Sequence, residues 1–485
     1  MVKRIVYPVA ALCLGAILAY VIFLCIFLVT SLNTARDASK SYEKYKDAGF
    51  TAEISREYLD LLPRISKIVK TSESILISPI IHLAGRSDTF NQAADLYRSM
   101  SEILPALPML IGEDQPKKYF VAFQNPAEAR GTGGLVGAFA IIQLSKGEFE
   151  VKQVGSNYLL ALQDEMPVKL PAEFKNLYGD HPAWWPNSNM SPHFPYAGKI
   201  WLGLWKKQYG DDLDGAIALD PFVLKDILEV TGEVEVRDTK INANNVIKET
   251  LFESYLRYRD ENESRKEYLV EIIETVMNAA FSSDLNRAEL IWSLRDSISE
   301  NRMLIYSADS SVQKFLERSP ISGSLDYGNE SEFRLVIQNT AGNKMDYYIT
   351  REVELIRKTC GKNGITQARI KISNSAPVDL DLPDNYFGRT DKVDKSNPFN
   401  STSVAALLYG AKGARVAAAY DVTNDRAVGY LKKERGRQIL VVPLDLKAGE
   451  SREVLVDFQG FPSTLDSYQQ PLVIPQKTVI RDKCR

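Results

Sequence analysis

The chain has 485 residues, with 59 Lys and Arg against 62 Asp and Glu, for a net charge of −3. Hydrophobic residues make up 45%, charged residues 25% and aromatic residues 10%. These proportions exclude a collagenous, low-complexity or wholly disordered chain, and the charge balance argues against nucleic acid as the main partner. The length predicts about two to four domains.

The first element is the uncharged run from Tyr7 to Thr30. As a helix rising ~1.5 Å per residue it covers roughly 36 Å, enough to cross a bilayer core of about 30 Å with some tilt. A cleaved signal peptide is the alternative, but its apolar region is shorter, about 7–15 residues, and ends in small residues. Here the run stays bulky to its end (Ile22, Phe23, Leu24, Ile26, Phe27, Leu28). Lys3 and Arg4 precede it, and a mixed set (Arg36, Asp37, Lys40, Glu43) follows. The positive-inside rule therefore predicts a cytoplasmic tail at 1–6, a single transmembrane helix at 7–30, and a body outside the cell membrane. Cys13 and Cys25 fall in the span. Cys360 and Cys484 are the remaining cysteines, and an oxidising compartment predicts a disulfide between them, with two free thiols as the alternative.

Residues 31–115 carry helical spacing (Leu59, Leu62, Ile65, Ile68) interrupted by Pro63, which predicts a helical stalk. From 116 to 330 strands and helices alternate. KKYFVAFQN, LVGAFAIIQLS and FEVKQV read as strands, with PAEARGTGG as a turn-rich loop. DGAIALD reads as a buried strand leading into the helix PFVLKDILEVTG, punctuated by Pro221 and Gly232. Helices follow from about Ala243 to Glu300, then the strand RMLIYS and the helix SVQKFLER. This pattern predicts an α/β domain, a mixed sheet with flanking helices. From 331 to 485 seven or more short strands (FRLVIQN to SREVLVDFQG) predict an all-β, sandwich-like domain, with a long polar loop at 385–403.

The stretch FVAFQNPAEARGTGGLVGAF (120–139) resembles domain-of-unknown-function family 4012 of bacterial envelope proteins. Further landmarks continue in order: NSNMSPHFP (187–195), DGAIALDPFVLKDILEVTGEVEV (214–236), ENRMLIYSADSSVQKFLE (300–317) and NTAGNKMDYYITREVEL (339–355). His193 stands where that family more often has Asp. A more distant similarity joins DGAIALDPFVLKDILEVTGEVEV and YLRYRDENESRKEYLVEII (255–273) to the LytR–CpsA–Psr proteins, exported single-span enzymes that transfer lipid-linked glycopolymers to peptidoglycan. That similarity implies polyprenyl-pyrophosphate contacts at Arg257, Arg259 and Arg265. The acidic metal ligands of those enzymes have no counterpart in GTGGLVGAFAII or QVGSNY.

Three groups of residues are candidates for ligand contact. Arg130, Gly131, Thr132, Gly133 and Gly134 could turn backbone N–H groups and a guanidinium toward a phosphate, or could form a tight structural turn. Tyr255, Arg257, Arg259, Arg265 and Lys266 form a basic cluster among Asp260, Glu261 and Glu263, a pattern that is also common on solvated surfaces. Trp184, Trp185 and His193 lie in an aromatic stretch that could hold sugar rings or an isoprenoid tail, whereas Trp201 and Trp205 are spaced for core packing.

The three histidines, His82, His181 and His193, match no zinc spacing, so no metal ligands are named, although a divalent metal fits the transferase likeness. No cofactor is identified. No Gly-x-Ser-x-Gly elbow is present. Asp211, Asp212, Asp214 and Asp220 could supply paired carboxylates for glycoside hydrolysis, but Asp220 before Pro221 reads as a helix cap. The expectation is an envelope protein that binds or transfers a polyprenyl-pyrophosphate-linked glycan in cell-wall assembly, with the membrane and a lipid-linked glycan or peptidoglycan as partners, and with a non-catalytic binding or scaffold protein as the alternative.

Overall fold

The computed structural model describes residue 37 and residues 106–484, apart from 147, 180, 281–286, 328–331, 362, 392–398, 423–425 and 463. The predicted transmembrane helix and the stalk up to residue 105 lie outside the described residues. Among the described residues no helix is long and apolar enough to cross a membrane. The chain divides into two compact units between Gln115 and Pro116, with Ser145–Glu148 going with the earlier one. The described end of that earlier unit is a single helical turn, Leu107–Leu110.

The later unit begins with a mixed five-stranded sheet. Its members are β1 (Lys117–Arg130), β2 (Gly133–Ser145), β3 (Glu148–Ser156), β4 (Gly215–Leu219) and β7 (Leu304–Ser307), in the order β3-β2-β1-β4-β7. β4 runs parallel to β1, while β2 and β7 pair antiparallel to their neighbours. A small hairpin, β5 (Val234–Val236) and β6 (Thr239–Ile241), lies between β4 and β7 in the sequence. The expected loop PAEARGTGG proves to be mostly strand, since β1 continues to Arg130. The register slips between Asn125 and Ala129, and this irregularity accommodates Pro126, which has no N–H to give to a ladder.

Helices flank this sheet: α1 (Phe194–Tyr209), α2 (Pro221–Thr231), α3 (Asn262–Ala280), α4 (Arg287–Ser299) and α5 (Ser310–Leu316). Asp220 caps α2, its carboxylate accepting from the Phe222 N–H at 2.9 Å. Between β6 and α3 the chain makes a π-helical turn at Glu249–Glu253, a wide turn often found beside binding sites.

The β-rich remainder is two sheets around a shared apolar core. One has the order β14-β15-β11-β8-β17, made of Tyr430–Glu434, Arg437–Leu446, Thr402–Tyr409, Glu332–Asn339 and Asp466–Gln469. The other has the order β13-β12-β16-β10-β9-β18, made of Arg426–Ala427, Arg415–Asp421, Ser451–Gln459, Ile365–Asn374, Ile349–Arg357 and Lys477–Asp482. Residues alternate between two environments along the first sheet. Leu335, Ile337, Ala406 and Leu408 face the second sheet, while Val336, Leu407, Tyr409 and Val441 join the core beneath β1 and α1. The central strands are thus buried on both faces, which explains their near-continuous apolar runs. Cys360 and Cys484 form a disulfide, with Cα atoms 5.8 Å apart.

Candidate functional site

The loop after β1 is a buried hairpin turn rather than an open anion nest. Arg130 pairs with Gly133 and Ala129 with Gly134 across it. A Cβ on Gly131 would stand 2.1 Å from the Met190 carbonyl, so glycine serves close packing there. Gly133 takes a φ of +135°. The Thr132 hydroxyl donates to Gln124 Oε1 at 2.6 Å and accepts from Asn189 Nδ2 at 2.8 Å.

Arg130 itself is engaged within the protein. Its Nε donates to the Pro186 carbonyl at 2.8 Å, Nη1 to the Ala129 carbonyl at 2.9 Å, and Nη2 to Glu128 Oε1 at 3.1 Å. Buried among these acceptors, it holds the turn and Glu128 in place, and it presents no free donor face to a phosphate.

The arginines of the basic cluster separate. Arg257 Nη1 pairs with the buried Glu249 at 2.6 Å, and its guanidinium lies over the Tyr268 ring. Arg259 Nη2 pairs with Asp381 at 2.9 Å on the surface. Arg265 behaves differently. It is 4% exposed, and among the described residues it has no carboxylate partner. Its guanidinium carbon lies 4.2 Å from the centre of the Tyr255 ring and 4.7 Å from that of Tyr386, and Nη2 donates to Asn262 Oδ1 at 2.6 Å. Its Nε has no hydrogen-bond partner.

Arg265 lines a cavity of about 300 Å³ between β1, β2, the start of α2, the π-helical turn and α3. Phe123, Leu135, Leu224, Leu251, Leu269 and Ile273 give it apolar walls. Its cations are Arg265, Lys266 and Lys344, and its acids are Glu128 and Asp220. Each acid is already held from below. Glu128 accepts from Arg130 and, at 2.7 Å, from Lys344, while Asp220 pairs with Arg302 at 2.8 Å. Burial pushes the Glu128 carboxyl up, but Lys344 and Arg130 outweigh it and hold the group below the usual range. Lys266 donates to Asn157 Oδ1 at 2.5 Å, and Asn262 donates to the Tyr158 hydroxyl beside it. Burial, then the neighbouring charges of Arg265 and Lys344, push the Lys266 ammonium down to about 7. The result is an apolar-walled chamber with an excess of positive charge, suited to an anion carrying apolar substituents.

Residues 114–255 match the family model "Protein of unknown function (DUF4012)". The DUF4012 match takes in the hairpin at Gly131, the aromatic stretch and α2, and ends at Tyr255, one of the two rings that flank Arg265. Arg265, Lys266 and Lys344 lie beyond it. No curated protein matches the chain. Among solved structures, protein gbs0355 from Streptococcus agalactiae is 14% identical with a TM-score of 0.25, over 44% of this chain and 75% of that one. The Lin1025 protein from Listeria innocua is 12% identical with a TM-score of 0.21, over 47% of this chain and 85% of that one. Likenesses this distant carry no argument here.

The aromatic stretch of the DUF4012 region is mainly core. Trp185 is buried and stacks on Phe120 at 5.1 Å, and Trp201 and Trp205 line the same core. Trp184 is exposed and leans on His181. His193 is buried, and its Nδ1 accepts from the Leu325 N–H at 3.1 Å. Burial, reinforced by Arg435, Lys199 and Arg334, keeps that imidazole well below its ordinary pKa and therefore neutral. Trp185 and His193 are thus corrected from ligand candidates to packing residues. Asp214 and Asp211 pair with Lys117 and Lys118, each at 2.9 Å, and fasten the start of β1. Among the described residues no three His, Cys, Asp or Glu side chains gather as a cation site.

Glu128, Lys344, Asn125 and Asn157 also belong to the chamber, and they were not singled out from the sequence. Glu128 and Lys344 are 216 residues apart, so no local spacing reports their pairing. The available signal was their place inside the landmark stretches FQNPAEARGTGG and NTAGNKMDYY.

Proposed function

We propose that this is a membrane-anchored, extracytoplasmic protein of the bacterial cell envelope, and that its chamber binds the phosphate end of a polyprenyl-pyrophosphate-linked glycan. The observation that carries this reading is Arg265, a buried guanidinium packed against two tyrosine rings that touch each other edge to face, with no carboxylate partner among the described residues, beside apolar walls. An unpaired buried charge is costly, and a ligand anion is the economical way to satisfy it. The anchor follows from the charge-free run Tyr7–Thr30 and the basic residues before it. The disulfide agrees with an oxidising compartment.

Binding is the core of the proposal, and transfer of the glycan to peptidoglycan would be a further step. The second reading, a non-catalytic scaffold, is favoured by the internal engagement of Arg130, Arg257 and Arg259. The deciding experiment titrates the full-length protein, in detergent, with undecaprenyl pyrophosphate. Saturable binding that Arg265→Gln abolishes while leaving the fold intact supports the first reading. No binding by the folded protein would leave the scaffold reading standing.

A further inference from the structure

We infer that the chamber selects its ligand by head-group charge, taking a phosphomonoester or pyrophosphate and discriminating against a phosphodiester. This rests on the reading of the chamber as a phosphate site and deepens it by naming the class of head group.

The inference starts from a balance of charges. Both chamber acids are paired within the protein, Glu128 with Arg130 and Lys344 and Asp220 with Arg302, which also pairs at 2.8 Å with the exposed Glu300 outside the chamber. Counted with those internal partners, the group Glu128, Arg130, Lys344 keeps one unpaired positive charge. Arg265 adds a full charge and Lys266, whose ammonium is pushed down to about 7, a partial one near neutral pH, and among the described residues neither has a carboxylate partner. A phosphodiester brings one negative charge and leaves part of that positive charge uncompensated in a largely buried site. A phosphomonoester or pyrophosphate brings about two or more near neutral pH, with at least three unesterified oxygens to share among separate cationic donors.

Geometry supports the same choice. Arg265 cannot swing out to follow a poorly charged ligand, because Tyr255 and Tyr386 hold its plane and Asn262 holds Nη2. Tyr255 is itself fixed by Asn125, whose Nδ2 donates to its hydroxyl at 2.8 Å. The guanidinium is therefore held in one fixed orientation, with its Nε buried and unbonded. Lys344 is equally restrained, by Glu128 at 2.7 Å. Only Lys266, on a flexible stem, can adjust. A rigid cationic frame of this kind rewards an anion with terminal oxygens pointing in several directions, and a second ester substituent would remove one of them.

The test uses short-chain, monomeric lipids that differ only in the head group, titrated calorimetrically into the full-length protein in detergent. Dihexanoyl phosphatidic acid is the monoester, dihexanoyl phosphatidylglycerol the diester, and inorganic pyrophosphate the soluble competitor. Phosphatidic acid is expected to bind at least about tenfold more tightly than phosphatidylglycerol, with pyrophosphate displacing it. Arg265→Gln should lose both lipids, and Lys266→Gln should narrow the ratio between them. Equal binding of the two lipids, lost in Arg265→Gln, would overturn the charge selection and leave the phosphate site standing. Pyrophosphate binding without binding of phosphatidic acid would overturn the phosphomonoester and the lipid source and leave only a pyrophosphate site. Absence of binding by all three, in protein with an intact circular dichroism spectrum, would overturn both.

Discussion

Arg265 lies with its guanidinium carbon 4.2 Å from the centre of the Tyr255 ring, and this contact stands where an ion pair would be expected for so buried a charge. A desolvated cation–π contact contributes about 2 kcal/mol, less than the several kcal/mol that dehydrating a cation costs. Arg265 is therefore predicted to be a burden on the unliganded fold. Arg265→Met should leave thermal stability unchanged or raise it by about 1 kcal/mol while abolishing pyrophosphate binding. Arg130→Met should behave in the opposite way, costing about 3–5 kcal/mol, because it strips partners from Glu128 and two buried carbonyls. Denaturant titration of the two variants checks the contrast, and equal losses would remove the functional reading of Arg265.

Tyr255 should matter through its ring rather than its hydroxyl. Tyr255→Phe keeps the face that supports Arg265 and loses the bond from Asn125. Tyr255→Leu loses the face. Pyrophosphate affinity should fall about 3-fold in the first and about 30-fold in the second, corresponding to the ~2 kcal/mol of a desolvated cation–π contact. Similar losses in both would place the effect in the hydroxyl.

The sequence made the order of strands and helices legible because their patterns are local. Alternation marks β9 and β10, and Pro221 with Gly232 marks α2. It did not reveal that Val336 and Leu407 carry a second buried face, because a strand buried on both sides looks apolar without saying what covers it. The site was legible in part. Arg265 was in the basic cluster, but Arg257 and Arg259 were indistinguishable from it until Glu249 and Asp381 were placed beside them. Likewise, the glycines around Thr132 have the composition of an anion nest, and only the nearness of the Met190 carbonyl to Gly131 shows that they serve packing.

Anion binding should depend on pH through Lys266. Burial comes first among the causes that lower its pKa to about 7, with Arg265 and Lys344 adding to it, and no acid offsets them. Asn157 and the Tyr158 ring face it from the turn after β3. The chamber acids are engaged elsewhere, Glu128 by Lys344 and Arg130 and Asp220 by Arg302. As pH rises through 7 the ammonium loses its proton and the chamber loses a positive charge. Sulfate, a dianion from pH 6 to pH 8.5, should therefore bind about fivefold more weakly at pH 8.5 than at pH 6. Lys266→Gln should flatten that dependence, and an unchanged slope in the variant would exclude Lys266 as its source.

The disulfide should stabilise the C-terminal strand more than its surface position suggests. It joins residues 124 apart, and β18 is also held by its parallel pairing with β9 and by the Arg357–Asp482 and Arg481–Glu354 ion pairs at 3.0 and 2.6 Å. Closing a loop of that size in the unfolded chain corresponds to about 2–5 kcal/mol. The paired substitution Cys360→Ser with Cys484→Ser should lower stability by that amount and speed proteolysis of the last strand first. Unaltered denaturation midpoints would show that β18 needs no covalent tie.

Glu434 should give the folded state a pH dependence separate from that of the chamber. Its carboxyl is fully buried and accepts from Ser191 Oγ at 2.7 Å, Tyr409 OH at 2.7 Å and Tyr178 OH at 3.2 Å, with no cation bonded to it among the described residues. Burial is the largest influence and pushes it up to about 7, against the downward pull of those three hydroxyls. The unfolded carboxyl titrates near 4.3. Between those values the folded state holds a proton that the unfolded state has released. This contribution to stability is therefore complete below about pH 4.3 and lost as pH rises to 7, amounting to about 3 kcal/mol. Asp346, likewise pushed up to about 7 by burial, has the same sign. Glu434→Gln keeps an oxygen for the hydroxyl donors and carries no charge to dehydrate, so it should remove Glu434's share of the slope. Its advantage over the native protein should grow from nothing near pH 4 to its full size at pH 7. Guanidinium denaturation at pH 4, 5, 6 and 7 measures this directly, and parallel curves for the two proteins would mean that the Glu434 carboxyl titrates alike in the folded and unfolded states.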